Sequence, residues 1–242
     1  MASQPHLTLS GVGVMRGGRW LFRGVDWEVP PGKFVAVVGP SGAGKSSLLA
    51  CLAGMLEPSE GRLSYRCHAG CTHDPSGYRR KMGIVFQNFC LCGNSTVLTN
   101  VLLGRLARYH WWQTLCRFPR HEREAAFRWL TELGLGQLAH RRVAEVSGGE
   151  QQRTAILRAL FQEPEMILAD EPVSNLDAYL AGRVLGILRL QAHQRKCTVF
   201  CVLHDAALVE RFADYALSLD PLNPSGWKVR ELRENWSTPL VA

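Results

Sequence analysis

The run Val38-Gly39-Pro40-Ser41-Gly42-Ala43-Gly44-Lys45-Ser46-Ser47 holds the densest potential for chemistry in the chain. Its glycines let backbone N–H groups converge on a phosphate with no side chain in the way. A helix opening at its end adds unpaired N–H donors and the positive end of a dipole. Lys45 then has the reach for the β- and γ-phosphates of a nucleotide, and the Ser46 hydroxyl is a ligand for Mg²⁺. These roles require a strand before the loop and a helix after it, and both are predicted. Lys33-Phe34-Val35-Ala36-Val37 is an apolar run without polar alternation, and Ser47-Leu48-Leu49-Ala50-Cys51-Leu52 opens a helix. A nucleoside triphosphate is the expected ligand, cradled by Gly39, Pro40, Ser41, Gly42, Ala43, Gly44, Lys45, Ser46 and Ser47.

A second apolar run, Glu165-Met166-Ile167-Leu168-Ala169, ends in Asp170 and Glu171. An acid at a strand tip beside such a loop is the second tether for Mg²⁺, which is the role expected of Asp170. Glu171 leaves the strand in another direction and can hold or deprotonate a water attacking the γ-phosphate. His204 ends a third apolar run, 198–203, at the kind of position where ligands gather on a parallel sheet. Ser147 with Glu150 three residues on fits a capping box. Two successive glycines, Gly148 and Gly149, are costly at a helix start, unless a second phosphate approaches their N–H groups. Two such helix starts, separated by a helical stretch, are not expected to share one phosphate within a chain. Two copies placed head to tail solve this, each loop facing the other copy's Ser147, Gly148 and Gly149.

The elements that must position these groups follow from pattern. Strands are expected over 6–14 and 24–29, a turn at Pro30-Pro31-Gly32, a strand over 62–65, a loop over 66–76 and a buried strand over 81–86. From 88 to 145 strand signals vanish, and helices are expected over 97–103 and 121–133. The second has Ala125, Phe127, Trp129, Leu130 and Leu133 as its apolar face. Trp111-Trp112 and Phe118-Pro119 lie between the two. Helix 150–161, strand 165–169, helix 178–193, strand 198–203, helix 205–213 and strands 215–219 and 227–230 complete the order. This alternation predicts an α/β chain with a mainly parallel sheet covered on both faces, antiparallel strands near the N-terminus and an inserted helical subdomain.

The 242 residues are 46% hydrophobic and 20% charged, an ordinary globular balance. The net charge of +7 suits anionic ligands, acidic lipid or nucleic acid without choosing among them. No run approaches the roughly 18 to 20 apolar residues that span a bilayer. The start Met1-Ala2-Ser3-Gln4-Pro5-His6 lacks the basic-then-apolar layout of a secretory signal, so a cytosolic chain that meets a membrane through a partner is expected. Among the eight cysteines, Cys51, Cys197 and Cys201 are expected as buried thiols. Cys67, His68, Cys71 and His73 offer zinc-type ligands but no second well-spaced pair, so a surface loop with reduced thiols is expected. Cys90 and Cys92 read as incidental.

Taken in order, Gly39 to Ser47, Gln87, Ser147-Gly148-Gly149-Glu150-Gln151-Gln152-Arg153, Leu168-Ala169-Asp170-Glu171-Pro172, Ser174-Asn175-Leu176-Asp177 and His204 resemble the nucleotide-binding subunit of ABC transporters. Phe86-Gln87-Asn88-Phe89, Asn100-Val101-Leu102-Leu103-Gly104-Arg105-Leu106 and the tryptophan-rich stretch after it are similar to the phosphonate-import branch. The resemblance implies a P-loop NTPase core of about 1–87 and 146–242, a helical subdomain of about 88–145, and hydrolysis of ATP with Mg²⁺. It implies that Gln87 senses the γ-phosphate and the membrane subunit and joins Ser46 and Asp170 at Mg²⁺. Glu171, His204, Lys45 and Gln87 would form the catalytic set, with His204 on the γ-phosphate and Asp177 across a dimer interface. The implied partners are integral membrane permease subunits, whose short cytoplasmic helix docks on the helical insertion, and a second copy of the chain. A periplasmic substrate-binding protein would act indirectly; nucleic acid is not implied. The implied location is the cytoplasmic face of the inner membrane.

Two departures stand out. Glu150 replaces the usual glutamine and, as a capping-box acid, is expected to point away from the phosphate. The aromatic residue that stacks on adenine is absent near Arg16, whose guanidinium plane is the expected substitute; Trp20 and Phe22 are the aromatic alternatives. An ATPase serving a soluble carbon–phosphorus lyase complex is the competing expectation. Tandem ATPase domains or a long coiled coil, expected of a soluble family member acting on nucleic acid, are not seen in the sequence. Lys45, Asp170 and Glu171 argue against a binding module without catalysis.

Overall fold

The computed structural model describes Gln4 and residues 6–110 and 118–232. Two long strands, β1 (Leu7–Arg16) and β2 (Arg19–Val29), pair antiparallel. The second starts five residues earlier than its alternation predicts. With β4 (Glu60–Arg66) and β5 (Thr72–His73) they form an antiparallel sheet of order β2-β1-β4-β5. The other sheet comprises β3 (Phe34–Val38), β6 (Met82–Val85), β7 (Met166–Ala169), β8 (Thr198–Val202), β9 (Tyr215–Ser218) and β10 (Lys228–Glu231), in the order β10-β9-β3-β8-β7-β6. Every pairing in it is parallel except the outermost, β10 on β9. Helices are α1 (Lys45–Leu52), α2 (Pro75–Tyr78), α3 (Val97–Leu102), α4 (Arg120–Glu132), α5 (Gly148–Phe161), α6 (Ala178–Arg195) and α7 (Ala206–Phe212). The α/β expectation holds.

The strands lack polar alternation because both faces of the sheet are covered. Val35 and Val37 of β3 join one core with α1 and the antiparallel sheet, among Phe22, Leu48, Leu52 and Tyr65. Phe34 and Ala36, on the other face, join a second core with residues of α5, α6 and α7, among Leu160, Leu188 and Phe212. A third core lies in the helical stretch: Val97, Val101, Leu130, Leu133, Leu157 and Phe161. Helix α5 belongs to two of them, giving Ile156 and Leu160 to the second and Leu157 and Phe161 to the third. Burying one such leucine stabilises the fold by about 2 kcal/mol. Its backbone is approached closely on two sides. A Cβ added at Gly83 would stand 2.9 Å from Ala159 O, and one at Gly104 would stand 2.2 Å from Arg158 O.

Two expectations need correction. Residues 66–76 are not all loop: β5 pairs His73 with Tyr65 and Thr72 with Arg66. Asp74 then caps α2, its Oδ1 accepting from the Gly77 N–H at 2.7 Å, with Pro75 in the first turn. Short elements of this kind leave too few residues for a period to show. In α4 the buried face is Glu122, Ala126 and Leu130, at i, i+4 spacing, while Phe127 is 44% exposed. Glu122 is tolerated there because Arg105 Nη1 (3.3 Å) and the Tyr109 hydroxyl (2.9 Å) donate to it. Trp111-Trp112 lies outside the described residues.

Candidate active site

Strands β3, β8, β7 and β6 are neighbours in that order and parallel, so their carboxyl ends form one line. Along it stand Gly39 after β3, His204 after β8, Asp170 and Glu171 after β7, and Gln87 after β6. The ladder fixes the line beyond the strand ends: the Leu203 N–H donates to Val37 O at 3.3 Å and the Asp170 N–H to Val85 O at 2.9 Å. The residues that sequence singled out at strand tips are thereby brought together on one edge of the sheet.

The loop at the first position needs its glycines. Gly39 has φ +144°, and a Cβ there would meet Leu219 O at 2.6 Å; Gly44 has φ +90° and would meet the Leu21 side chain at 2.9 Å. Lys45 is buried and bridges the loop, its Nζ donating to Gly39 O at 2.8 Å and Pro40 O at 2.9 Å. Ala43 sits in the first core, so its backbone alone faces a ligand, whereas Pro40, Ser41, Gly42 and Ser46 are exposed.

The Ser46 side chain hydrogen-bonds to the Asp170 carboxyl. Asp170 Oδ1 is buried with no hydrogen-bond partner. Burial holds this carboxyl above its ordinary pKa, against the Ser46 hydrogen bond, and the Glu171 charge adds to the rise. A buried carboxylate oxygen without a donor, beside a serine hydroxyl, is a set that a hard divalent cation satisfies. These residues fit Mg²⁺.

Glu171 has φ +52°, a left-handed conformation that costs a non-glycine residue on the order of 1–2 kcal/mol. Its backbone oxygen is held by Gln152 Nε2 at 3.1 Å and Ser174 Oγ at 3.1 Å. The outcome is that Glu171 Oε1 lies 2.7 Å from His204 Nε2, with the imidazole half exposed. Gln152 was not singled out from sequence, and it is fully buried on α5 with its Oε1 unpartnered. Arg158, one and a half turns on, is another omission. Its guanidinium donates to Phe89 O at 2.8 Å and Cys90 O at 2.6 Å. Both of those residues have positive φ, just beyond Gln87. Neither side chain announces its role in the sequence, since both read as the polar face of an amphipathic helix.

The second glycine pair opens α5. Ser147 caps the helix: its Oγ accepts from the Glu150 N–H at 3.4 Å, while Glu150 Oε2 accepts from the Ser147 N–H at 2.7 Å. The Ser147 N–H holds the Glu150 carboxyl below its ordinary range, so the acid is turned back onto the cap. Neither Gly148 nor Gly149 has a positive φ, and a Cβ on Gly148 would meet nothing within 4 Å. The backbone therefore does not demand glycine there; open space for an approaching group remains. Asp177 caps α6, accepting from the Leu180 N–H at 2.9 Å. Among the described residues no hydrogen bond joins Ser147, Gly148, Gly149 or Asp177 to the loop 39–47.

Arg16 ends β1 exposed, paired with Arg19. Of the two aromatic alternatives, Phe22 is 1% exposed in the first core, and the Arg23 guanidinium lies over the Trp20 ring at 4.7 Å. Among the cysteines, Cys51, Cys197 and Cys201 are buried as expected, and burial pushes their thiols up, Cys51 to about 11 and Cys197 to about 12. Cys67 is also buried, against the surface expectation. Burial raises its thiol, but the His73 ring, backbone N–H groups and the Cys71 thiol outweigh that and bring it to about 7.

The family model described as ABC transporter matches residues 22–174. The phosphonates import ATP-binding protein of Bdellovibrio bacteriovorus is 37% identical over 243 residues, covering 98% of this chain and 93% of that protein. Its counterpart from Paraburkholderia xenovorans is 38% identical over 210 residues, covering 84% and 70%. Among solved structures, a dimeric ATP-binding cassette in a post-hydrolysis state, bound to ADP and Pi, superposes with a TM-score of 0.79 at 29% identity. The alignment covers 94% of this chain and 99% of that one. No helix among the described residues is long and apolar enough to cross a membrane. With the strand-tip line, the glycine loop and these likenesses together, the chain belongs to the ABC transporter family, as an ATP-binding cassette whose ATPase activity is coupled to transport.

Proposed function

We propose that the chain is the ATP-hydrolysing subunit of an importer for phosphonates or a related phosphorus oxyanion, working as a head-to-tail pair against separate permease subunits. The observation that carries the hydrolytic part is the line of strand tips, with an unpartnered Asp170 oxygen, Lys45 and the Glu171–His204 pair side by side. The substrate class rests on the relatives named for phosphonate import. Residues 1–87 and 146–242 form the nucleotide-binding core and 88–145 the helical subdomain in this reading, the third core being shared between them through Leu157 and Phe161 of α5. The site of action is the cytoplasmic face of the inner membrane, reached through the permease.

In this scheme loop N–H groups and Lys45 bind the β- and γ-phosphates, Lys45 exchanging the Gly39 and Pro40 carbonyls for phosphate oxygens. Ser46 and Asp170 hold Mg²⁺, with Gln87 on the neighbouring strand as third contributor. The ion, when bound, neutralises charge between the β- and γ-phosphates. Glu171 takes or orients the proton of the attacking water, and His204 fixes Glu171 at 2.7 Å and faces the γ-phosphate. Ser147, Gly148 and Gly149 close the site of a second copy, with Asp177 at the joint.

Static light scattering on Glu171→Gln tests the pairing: the mass should double when Mg-ATP is added. A monomer at saturating ATP and high protein concentration would sink the head-to-tail scheme. Co-purification with a membrane permease is expected; recovery with a soluble enzyme complex would instead favour service to a carbon–phosphorus lyase.

A further inference from the structure

Gln152 is fully buried on α5, yet its amide is only half used. Nε2 donates to Glu171 O at 3.1 Å, and Oε1 has no partner among the described residues. The carbonyl it faces can only accept, so the amide must present its nitrogen there and leave its own oxygen stranded. A buried acceptor without a donor lowers stability. A methionine would fill much the same space without that oxygen. Packing therefore does not account for an amide at this position. Its neighbours on the helix show what packing asks for. Ala155, Ile156 and Ala159 are apolar members of the second core, and Thr154, also fully buried, satisfies its hydroxyl on Glu150 O at 2.7 Å.

What the amide does is brace one turn. Glu171 follows the fully buried β7 and adopts φ +52°. Its carbonyl oxygen collects three donors: Gln152 Nε2, Ser174 Oγ at 3.1 Å and the Ser174 N–H at 3.4 Å. Ser174 belongs to the same turn, so its two bonds travel with that turn. Only the Gln152 donor comes from another element, and it ties the turn to α5. The Glu171 side chain leaves this braced backbone to place Oε1 2.7 Å from His204 Nε2.

We propose that Gln152 is a positioning residue for ATP hydrolysis: by holding Glu171 O it keeps the left-handed turn, and with it the carboxylate, aimed at the attacking water. This rests on the reading of Glu171 as the group that handles that water. Gln152 itself touches neither nucleotide nor water in this scheme; it acts through the Glu171 backbone. Ser174 holds the same oxygen from within the turn, so losing one brace loosens the aim and losing both frees it. A shift on the order of 1 Å at a reacting group lowers the rate about a hundredfold, so a partial loosening is felt in kcat. The stranded Oε1 is the accompanying cost in stability.

Steady-state turnover, Mg-ATP affinity and urea midpoints of the full-length chain test this. Gln152→Met removes the donor and the stranded oxygen together, and Glu171 O keeps Ser174, so no buried group is newly orphaned. Its urea midpoint should hold or rise while kcat falls by about tenfold or more, with Mg-ATP affinity unchanged. With Ser174→Ala added, kcat should drop further, toward that of Glu171→Gln. Gln152→Glu is the conservative rescue. Burial pushes the pKa of such a carboxyl up, and its protonated O–H can replace the lost N–H. Its kcat should approach the wild-type value at the acid end of the pH profile and fall away from it as pH rises. Wild-type kcat in Gln152→Met, a midpoint that drops in step with kcat, or a Gln152→Glu profile parallel to the wild type would overturn the assignment. Glu171→Gln separates the two readings. If it loses turnover while Gln152→Met keeps it, the positioning role alone falls. If it keeps near-normal turnover, the water-handling reading falls and the positioning role with it.

Discussion

The two ends of the parallel strands hold polar groups in opposite conditions. At the carboxyl ends Asp170 has an unpartnered buried oxygen, Glu171 sits in a strained backbone conformation, and His204 stands half exposed. At the amino ends Lys81, Glu165 and Thr198 lead into or begin β6, β7 and β8 and close a network with His6 and Tyr78 in which each group has a partner. Both ends are rich in charge, so charge is not what separates them. The difference is whether hydrogen-bonding capacity is used up. The satisfied end holds the sheet to the N-terminal strands; the unsatisfied end keeps capacity for a ligand.

The sharpest way to break this contrast is to exchange the two glutamates' fates. Glu171→Gln should lower ATP turnover roughly 10²- to 10⁴-fold, the range for a lost positioned general base, while leaving thermal stability nearly unchanged. Glu165→Gln should do the reverse, costing about 1–3 kcal/mol by weakening a hydrogen-bonded ion pair and leaving turnover per folded molecule intact. Steady-state turnover and urea midpoints on both variants decide it. Near-normal turnover in Glu171→Gln would move the base elsewhere, with His204 the next candidate.

A second test sharpens the satisfied end. Burial, with the charge of His68 second, lowers the His6 pKa from 6.5 to about 4. The unfolded chain therefore takes up this proton more readily than the folded one. The contribution is fully present above pH 6.5 and is lost as pH falls toward 4. The loss should reach about 2 kcal/mol between pH about 7.5 and about 5. Urea midpoints across that window should fall in the wild type and fall less in His6→Gln; equal slopes would mean that His6 is not the neutral buried group described.

The smallest effect concerns the nucleotide base. Phe22 is buried, the Arg23 guanidinium lies over the Trp20 ring, and the exposed Arg16, as the proposed platform, would select the base only modestly. GTP should compete with ATP within about tenfold, a difference of roughly 1.4 kcal/mol. Discrimination of a hundredfold in competition binding would mean that a residue other than Arg16 reads the base.

What sequence revealed and what it hid divide along the same line. The glycine loop, Asp170, Glu171, His204 and the capping box at Ser147 were readable because their chemistry is local: spacing along the chain fixes them. Phe127 was misassigned to the buried face of α4 because an apolar side chain at the rim of a helix fits the period as well as one at its centre. Gln152 and Arg158 were overlooked because their partners, the backbone oxygens of Glu171, Phe89 and Cys90, lie on other elements. The paired network at the amino ends was equally hidden, since His6, Tyr78 and Glu165 meet across 72 to 192 residues with Thr198.

The close seating of α5 has a mechanical consequence. Gly83 and Gly104 leave no layer of side chains between this helix and its neighbours on two sides, at Ala159 and Arg158. Sliding along its axis would drive backbone into backbone, so the C-terminal half is a fulcrum. The first turn, from Ser147 to Gln151, is exposed or half-buried and carries the open glycine pair, and the buried Gln152 just beyond it grips Glu171. A push on the glycine pair is then expected to tilt the helix about that fulcrum, and such a tilt would pull on the Glu171 backbone through Gln152. Contact at one end of a lever is converted into alignment near its middle.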